Sequence, residues 1–503
     1  MALVVIAAAV FCLTCCLWML MSGKFRPATA PPHVSEGPPI VGNLMGFALG
    51  PRGPLDFIKR NFEVHGGAYS MRVAHKTLTF LVGPKASAPF FQNRDDVFSQ
   101  PEVYGFMTQV FGKGVVYDAT PAKRKAQNVH MSRGLRADRL KSYIPKILME
   151  TKKYMGDRWA EDGACDVLKA LSELTILTAS RCLHGDDVRE TLFEEVADIY
   201  HDLDKGITPL SFFWPTAPVE GHRKRDAARV RMVELFRGVI DARRTQTREQ
   251  ADARTDILQV FVDMKYKDGT MATTDEITGL LIALLFAGQH TSSITSTWTT
   301  LFILHDAKLK ARLLAEQRSI FGDGDIRDAP MSFDDLNKME ILHNCVKETL
   351  RMHPPLIMLM RKAMQDVPIE TDAGLKYVIP KGDIVFTSPA VAGRLDMVFK
   401  DPDAFDPDRY APPREEHATP FAHLGFGGGI HQCMGQQFGF MQVKTIISWL
   451  LRNYDMEPAG PMPKADYTAM VVGPVGEPMI SFKKIAPPPA AAEKVAPPPA
   501  AAA

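Results

Sequence analysis

The residues that most clearly point to chemistry lie in the run from Pro420 to Gly439, PFAHLGFGGGIHQCMGQQFG. Its single cysteine, Cys433, follows three consecutive glycines, 427–429, and directly precedes an apolar helix-like segment. Glycines let the backbone take positive φ and approach a flat partner, while the start of a helix presents unpaired N–H groups to the sulfur. Both effects favour the thiolate over the thiol. A thiolate in such a loop, with His431 two positions upstream, suits axial ligation of a haem iron.

Two other interpretations of this loop have to be weighed. A lone cysteine is most often a small buried hydrophobic residue, and a glycine-rich loop before a helix often binds phosphate. The phosphate interpretation lacks support, because neither the G-x-x-x-x-G-K-[ST] pattern nor the dinucleotide-binding spacing is present. The more specific signal is the F-x-x-G-x-[RH]-x-C-x-G pattern, which is matched by Phe426, Gly429, His431, Cys433 and Gly435.

A second group of polar residues interrupts an apolar helix that is predicted to run from a capping box at 273–276 to about Leu304. The small pair 287–288 removes side chains from one turn, and His290 and Thr291 follow it. Hydroxyls in a buried helix tend to bond back to the i−4 carbonyl, so we expect a local kink that opens space. In a haem monooxygenase, His290 and Thr291 would relay protons into that space. Taken alone, the pattern favours a plain hydroxyl-rich helix with a satisfied histidine.

A third group begins with Glu348 and Arg351, which lie at i, i+3 of a predicted helix. Such a pair is worth only about 0.2–0.5 kcal/mol on a surface and is common by chance. The order of the segments that follow this pair in the chain is more informative than the pair itself. The helix is stopped at 352–355 by Met-His-Pro-Pro, then Arg361 and the run FDPDRY at 405–410 precede the cysteine loop.

In this order, the three groups resemble the core motifs of the cytochrome P450 family. The sequence Ala287-Gly288-x-His290-Thr291 is similar to the family's A-G-x-[DE]-T motif, with His290 in place of the acid. That form is typical of the sterol 14α-demethylases. The stretch YGFMTQVFGKGVVYDA, from Tyr104 to Ala119, looks like the second signature of the same enzymes. The resemblance runs from about Ile40 to Lys484.

The resemblance implies roles for individual residues. Cys433 would be the axial ligand of haem b, His290 and Thr291 would be catalytic, and Glu348, Arg351 and Arg409 would form a triad behind the haem. The remaining haem contacts would be Phe426, Gly427, Tyr117, Lys125, Arg361 and His431, the last four through the propionates. The sterol site would be lined by Tyr104, Phe106, Met107, Phe111, Ala283, Ala287, Leu356, Met358, Met360, Met470 and Val471. By residue type alone, these aromatic and methionine residues are equally typical of core packing, and Lys125 of a solvated surface.

The first apolar segment, Ala2 to Met21, has Thr14 as its only polar residue. About 20 residues at ~1.5 Å each cover a ~30 Å hydrocarbon core. A cleaved signal peptide is the other interpretation, but this run is longer than the usual ~7–15 residues and has no basic region before it. Lys24 and Arg26 follow the segment, which places its C-terminal side in the cytosol. We therefore predict a single transmembrane anchor over residues 1–22, and the resemblance implies the endoplasmic reticulum.

The rest of the chain divides into three further parts. Residues 23–39 are proline-rich and predict a stiff spacer that holds the body away from the membrane. Residues 40–484 contain no second linker and predict one large domain. Residues 485–503 contain PPPAAA twice and predict a disordered tail. The 59 basic and 58 acidic residues nearly cancel, which gives no reason to expect nucleic acid, and the seven cysteines do not form a disulfide framework.

The body is predicted to be mainly α-helical with small β-sheets. Apolar periodicity predicts helices over 181–200, 227–251 and 334–352, and strands over 68–73 and 77–82. Strands at 376–379 and 384–387 are predicted to pair as a hairpin around Pro380–Asp383. The resemblance implies a single P450 domain with the haem between the long central helix and the helix after the cysteine loop.

The function implied is removal of the 14α-methyl group of a sterol. Three oxygenations would each use dioxygen and two electrons from a flavin-containing NADPH reductase, releasing formic acid and leaving a C14–C15 double bond. Phe106 stands where animal members carry leucine, which in the family goes with sterols bearing one methyl at carbon 4. A monomer is expected. The other interpretations are a haem-thiolate monooxygenase of another lipophilic substrate and a haem-binding protein without oxygenase activity.

Overall fold

The computed structural model describes residues 9–14, 26–35, 53–73, 76–159, 161–467, 469 and 471–486. After a short helical segment at 9–14, the helices are α1 Pro54–His65, α2 Pro84–Gln92, α3 Pro101–Tyr104, α4 Thr108–Phe111, α5 Pro121–Gly134, α6 Ala137–Arg158, α7 Val167–Ala179, α8 Asp186–Thr191, α9 Phe193–Lys205, α10 Pro209–Phe213, α11 Glu220–Arg244, α12 Arg248–Asp252, α13 Ile257–Val262, α14 Thr274–Leu304, α15 Ala307–Phe321, α16 Phe333–Lys338, α17 Glu340–Met352, α18 Pro389–Ala392 and α19 Gln436–Asn453. The strands are β1 Ala68–Val73, β2 Lys76–Leu81, β3 Phe98–Ser99, β4 Asp162–Asp166, β5 Leu359–Ala363, β6 Val367–Glu370, β7 Lys376–Ile379, β8 Ile384–Thr387, β9 Tyr454–Pro458 and β10 Met479–Lys484.

The centre of the molecule is the 31-residue helix α14. The predicted capping box opens it: the Glu276 N–H donates to Thr273 Oγ1 at 3.2 Å, and the Thr273 N–H donates to Glu276 Oε2 at 3.0 Å. Lys123 also forms an ion pair with Glu276. Among the described helices, α14 is the one long and apolar enough to cross a membrane, but 67% of its apolar window is buried in the domain. It is therefore the core helix of the domain.

Most of the hydrophobic core surrounds α14, which is why this helix is apolar on nearly all sides. Helices α7, α11, α17 and α19 pack directly against it, as does the short helix α4. Two smaller clusters lie under the strands in the first half of the chain and around β5 to β8. The predicted mainly α-helical class with small sheets and one domain is confirmed.

The strands form sheets of five, three and two strands in the orders β1-β2-β8-β5-β3, β4-β10-β9 and β6-β7. The predicted hairpin of β7 and β8 is wrong. β7 pairs with β6, with Lys376 opposite Glu370, whereas β8 lies between β2 and β5. The turn at 380–383 therefore connects two different sheets, because more distant strands occupy both edges of β8.

The three predicted helical stretches are present, but each is divided. A π-helical turn at Ser180–His184 and Gly185, with φ 98°, separate α7 from α8, and α9 begins only at Phe193. The second stretch is α11 followed by α12, and the third is α16 followed by α17. These breaks fall where a residue leaves helical backbone geometry, which apolar periodicity does not detect.

The described part of the predicted spacer, residues 26–35, lies on the domain. The Val34 N–H donates to Ser70 O, and the Ser70 N–H donates to Pro32 O. Arg26 Nη2 is 2.8 Å from Asp383 Oδ2. This strap, defined as residues 26–35, therefore does not hold the body at a distance. Most of the predicted anchor, the rest of the spacer and nearly all of the tail lie outside the described residues.

Candidate active site

The cysteine loop lies between β8 and α19 and is shaped by close backbone contacts. The Cys433 N–H donates to Phe426 O at 3.0 Å, and the Gly435 N–H donates to the Cys433 sulfur. Gly429 has φ 63°, and a Cβ at this position would lie 2.0 Å from Phe91 O. Only glycine fits there. The loop presents the Cys433 side chain on an accessible surface just before α19 begins.

The loop acts on the Cys433 thiol in two opposing ways. Although the Cys433 side chain is accessible, the loop atoms around it partly desolvate the sulfur, which raises the pKa of Cys433. The hydrogen bond from the Gly435 N–H opposes this effect in part. A cation beside the sulfur would favour its thiolate form. A metal ion supplies one, because a coordinating thiol is deprotonated on binding.

The middle of α14 contains an accessible window, residues 286–291. These residues are half-buried or exposed, although the helix on both sides is largely buried. The Thr291 hydroxyl donates to Ala287 O at 2.5 Å, as expected for a threonine within a helix. The helix is continuous through the window. Space is open beside Gly288, because nothing lies within 4 Å of a Cβ built on this residue.

His290 projects from this window toward α9. Its Nε2 lies 3.3 Å from Asp204 Oδ1, and both side chains are about one-third exposed. Tyr200, one turn before Asp204, packs on Phe286 with ring centroids 4.6 Å apart. Sequence reasoning missed Asp204, since nothing in the pattern of α9 distinguishes it from the other acids there.

Aromatic rings from the stretch 104–118 form a wall beside the window. Tyr104 stacks on Tyr117 with centroids 5.2 Å apart, and Phe111 lies 6.2 Å from Tyr117. Phe111 also meets Phe286 edge to face at 6.1 Å, which joins the wall to α14. Phe106 lies 6.3 Å from Tyr104, and Met107 is buried in the same core cluster. The structure thus brings together the five predicted residues of this stretch.

The other predicted lining residues are placed less uniformly. Ala283 is half-buried on α14, one turn before the exposed Ala287. Met358 and Met360 are half-buried, and the Met360 N–H donates to the Tyr104 hydroxyl at 3.3 Å. The Val472 N–H donates to Pro355 O, which brings Val471 beside this segment. Leu356 is 42% exposed, whereas Met470 lies outside the described residues.

A buried group of cations and phenols lies next to the wall. Arg361 is 4% exposed, and its Nε has no hydrogen-bond partner among the described residues. Burial raises the pKa values of Tyr104 and Tyr117, so both phenols stay protonated and able to donate. Such donors suit carboxylates, which is what the propionates of haem present.

Two further basic side chains are joined by a residue that sequence reasoning missed. Arg124 Nη2 is 2.6 Å from Asp95 Oδ2, and His431 Nε2 is 3.3 Å from Asp95 Oδ1. Lys125, which was predicted at this place, is exposed. The phase of α5 directs its neighbour Arg124 toward Asp95 instead. With Cys433, Arg361 and the two phenols, these residues fit haem b.

The expected triad is present behind the loop. Glu348 Oε1 accepts from Arg351 Nη2 at 2.7 Å and from Arg409 Nε at 2.9 Å. Glu348 also accepts from the Tyr410 hydroxyl and the Asp406 N–H, both at 2.9 Å. All three members of the triad are essentially inaccessible to solvent. This group fixes the segment before the cysteine loop onto α17.

Comparison with known proteins agrees with this arrangement. The family model described as cytochrome P450 matches residues 32–482. The chain is 43% identical to obtusifoliol 14-alpha demethylase of Sorghum bicolor over 92% of this chain and 91% of that protein. It is 43% identical to sterol 14-demethylase of Arabidopsis thaliana over 90% and 91% of the two chains. The lanosterol 14-alpha demethylase of Homo sapiens is 37% identical over 90% and 87%.

A solved structure shows the same fold. Retinoic acid-bound cyanobacterial CYP120A1 superposes with a TM-score of 0.77 and 20% identity, covering 92% of this chain and all of that one. The structural match, the cysteine loop and the relatives together show that the chain belongs to the cytochrome P450 family and, within it, to the sterol 14α-demethylases.

Proposed function

We propose that this protein removes the 14α-methyl group of a sterol by three successive oxygenations. Each step uses dioxygen and two electrons, which reach the enzyme from NADPH through a flavoprotein reductase. The methyl carbon leaves as formic acid, and the sterol gains a C14–C15 double bond. The observation that carries this proposal is the likeness to sterol 14-demethylases along nine-tenths of both chains.

Cys433 is the proposed axial ligand, with Phe426 and Gly427 shaping the loop that carries it. When bound, haem b supplies the activation of dioxygen for insertion of oxygen into a C–H bond. Tyr117, Arg124, Arg361 and His431 are the proposed partners of its carboxylates. The Gly435 N–H donates to the sulfur and so moderates the negative charge that develops there.

The window of α14 contains the proposed proton donors, His290 and Thr291. The Thr291 hydroxyl donates to Ala287 O, which leaves its oxygen free to accept a hydrogen bond from the space beside Gly288. His290 lies 3.3 Å from Asp204, whose carboxylate is about one-third exposed and so connects the window with solvent. We assign the route from Asp204 through His290 to Thr291 to proton delivery.

The aromatic wall is the proposed site of the sterol, because a largely apolar surface with few polar groups suits such a ligand. Phe106 meets Phe212 of α10 edge to face at 6.0 Å, so its ring is held by a second element. A phenylalanine takes more room than the leucine of animal members. We therefore propose a preference for sterols with one methyl at carbon 4, such as obtusifoliol, over lanosterol, which has two.

The proposed setting is the endoplasmic reticulum membrane. Residues 1–22 would form a single anchor, residues 40–484 the cytosolic catalytic domain, and residues 485–503 a solvated tail. The protein would act as a monomer that receives electrons from a membrane-bound reductase. An anchored enzyme suits a substrate that partitions into the bilayer.

The test is reconstitution of the full chain with NADPH–cytochrome P450 reductase, NADPH and obtusifoliol or lanosterol. We expect formate and the 14-desmethyl product in equal amounts, with a higher kcat/KM for obtusifoliol. A carbon monoxide-binding thiolate band without product from any 14α-methyl sterol would leave a monooxygenase of another lipophilic substrate. Absence of NADPH-dependent turnover on every lipophilic substrate would leave a haem-binding protein.

A further inference from the structure

Arg229 of α11 joins three elements at the back of the aromatic wall. Its side chain is only 9% exposed. Its Nη2 donates to the carbonyl oxygen of Phe111 at 3.2 Å and to that of Asp275 at 3.1 Å, and lies 3.2 Å from Asp275 Oδ2. Phe111 ends α4, and Asp275 lies in the first turn of α14. One nitrogen therefore holds the wall, α11 and α14 together.

The Phe111 carbonyl needs such a partner. α4 has four residues, and the Gly112 N–H is already used on Thr108 O, so the last carbonyls of this helix have no partner within it. A cation at the C-terminal end of a helix is also favourable electrostatically. Arg229 supplies both the donor and the charge at a buried position, where a missing partner would be costly.

Two glycines make the close approach possible. A Cβ on Gly279 of α14 would lie 2.0 Å from Phe111 O, and a Cβ on Gly112 would lie 2.4 Å from Arg229 Nη2. Gly112 also has a backbone φ of 95°, which residues other than glycine rarely adopt. The carbonyl thus lies in a notch formed by Gly279, Gly112 and Arg229. Any side chain at either glycine would push the wall away from α14.

The guanidinium contacts converge on a single nitrogen. Nε and Nη1 of Arg229 are buried without a hydrogen-bond partner among the described residues. The guanidinium of Arg229 therefore makes no bidentate contact with any described residue at this position. A point charge with several donors, as in lysine, matches the observed contacts.

We propose that Arg229 is a positioning residue for the sterol site, which holds the Phe111 carbonyl and so sets the rings of Phe111 and Tyr117 against α14. The identity of the ligand, a sterol, rests on the proposed function. The holding of the wall does not, because it concerns contacts within the ligand-free chain.

The first experiment measures amide hydrogen exchange of the segment 108–118 in the haem-loaded, sterol-free protein. We expect exchange in Arg229→Met to be about ten- to a hundredfold faster than in wild type, since a buried charge-assisted hydrogen bond is lost. Arg229→Lys should stay within about threefold of wild type, because its ammonium replaces Nη2. Arg231→Met, on the exposed face of the same helix, is the matched control and should match wild type.

A second pair of variants tests the notch without removing the arginine. Gly279→Ala should speed exchange of the same segment, whereas Gly238→Ala, on α11 with open space around its Cβ, should not. Spectral titration with sterol should give a dissociation constant at least about tenfold weaker in Arg229→Met and Gly279→Ala, with KM raised more than kcat is lowered. The carbon monoxide difference spectrum should be unchanged in all variants.

Unchanged exchange in both Arg229→Met and Gly279→Ala would overturn the proposal. Equal loosening in Arg229→Lys and Arg229→Met would contradict the role of a single nitrogen. If wild type shows no spectral response to any sterol, the proposed function fails, but the exchange data still decide whether Arg229 holds the wall.

Discussion

At the scale of single residues, Asp95 determines how the basic side chains Arg124 and His431 are arranged beside the aromatic wall. Burial of its carboxylate acts to raise its pKa, but the hydrogen bond with His431, the Gln100 N–H and the charge of Arg124 together lower it to about 2. Its side chain is 25% exposed, so solvent screens these contacts only in part. Asp95 therefore stays ionised and keeps Arg124 and His431 together.

This lowered pKa predicts a pH-dependent stability. The folded-state pKa, about 2, lies below the unfolded value of 3.8, so Asp95 stabilises the fold above about pH 4 and loses that effect as the pH falls toward 2. Asp95→Asn should lower the free energy of unfolding at pH 7 by about 2 kcal/mol, and the difference from wild type should vanish near pH 2. Urea denaturation at several pH values measures it.

The control for this experiment is Asp96→Asn, which removes an exposed carboxylate one residue away. It should show the pH dependence of wild type. A pH profile of Asp95→Asn that coincides with that of Asp96→Asn would contradict the assigned role of Asp95.

At the scale of elements, α17 is tied to the segment before the cysteine loop through Glu348. Both guanidiniums of the triad depend on this carboxylate, and Arg351 additionally donates to the carbonyls of Gly393 and Pro402. Removing one partner from a fully buried ionic group leaves uncompensated charge. Breaking the triad should therefore destabilise the fold by more than the intact triad contributes to the free energy of unfolding.

Glu348→Gln should destabilise the domain by about 3–5 kcal/mol, because Arg351 and Arg409 remain buried without their counter-charge. We expect a large loss of soluble, haem-loaded protein and a lower thermal midpoint. Glu340→Gln, at the exposed start of the same helix, should cost less than about 1 kcal/mol. Similar haem content and thermal midpoints in the two variants would contradict the structural importance of the triad.

Some of these elements can be predicted from the sequence, and others cannot. Both ends of α14 follow from its capping box and apolar composition, and the cysteine pattern locates the loop. The strand partners of β8 do not follow, because β2 lies about 300 residues away and no local signal encodes the pairing. Asp95 and Asp204 were missed for the same reason, since their partners are brought to them only by the fold. The sequence does not distinguish Arg124 from Lys125, because the face of α5 that meets Asp95 is set only by the fold.

At the scale of the whole molecule, the strap fixes where the N-terminal segment leaves the domain. Asp383 is buried, and its carboxylate Oδ2 forms an ion pair with Arg26 Nη2 at 2.8 Å. The same oxygen accepts a hydrogen bond from the Thr79 hydroxyl at 2.6 Å. Val34 and Ala30 are each 7% exposed. The strap is therefore part of the folded domain, although the proline content of residues 23–39 predicts a stiff spacer between domain and membrane.

A pair of truncations tests the strap. Removal of residues 1–25 should leave the thermal midpoint of the haem-loaded protein unchanged. Removal of residues 1–35 should lower it by several degrees, because Asp383 loses its counter-charge and the backbone bonds at Ser70 are lost, at a cost of about 3 kcal/mol or more. Differential scanning calorimetry compares them. Equal midpoints would show that residues 26–35 contribute no stability.

The central claim is that the Cys433 sulfur binds the haem iron beside the window of α14. The most direct measurement is the carbon monoxide difference spectrum of the reduced full-length protein and of Cys433→Ala. The wild-type protein should show the absorption band of a thiolate-ligated haem, and the variant should lose that band. Absence of the band in wild type, or its survival in Cys433→Ala, would contradict the account.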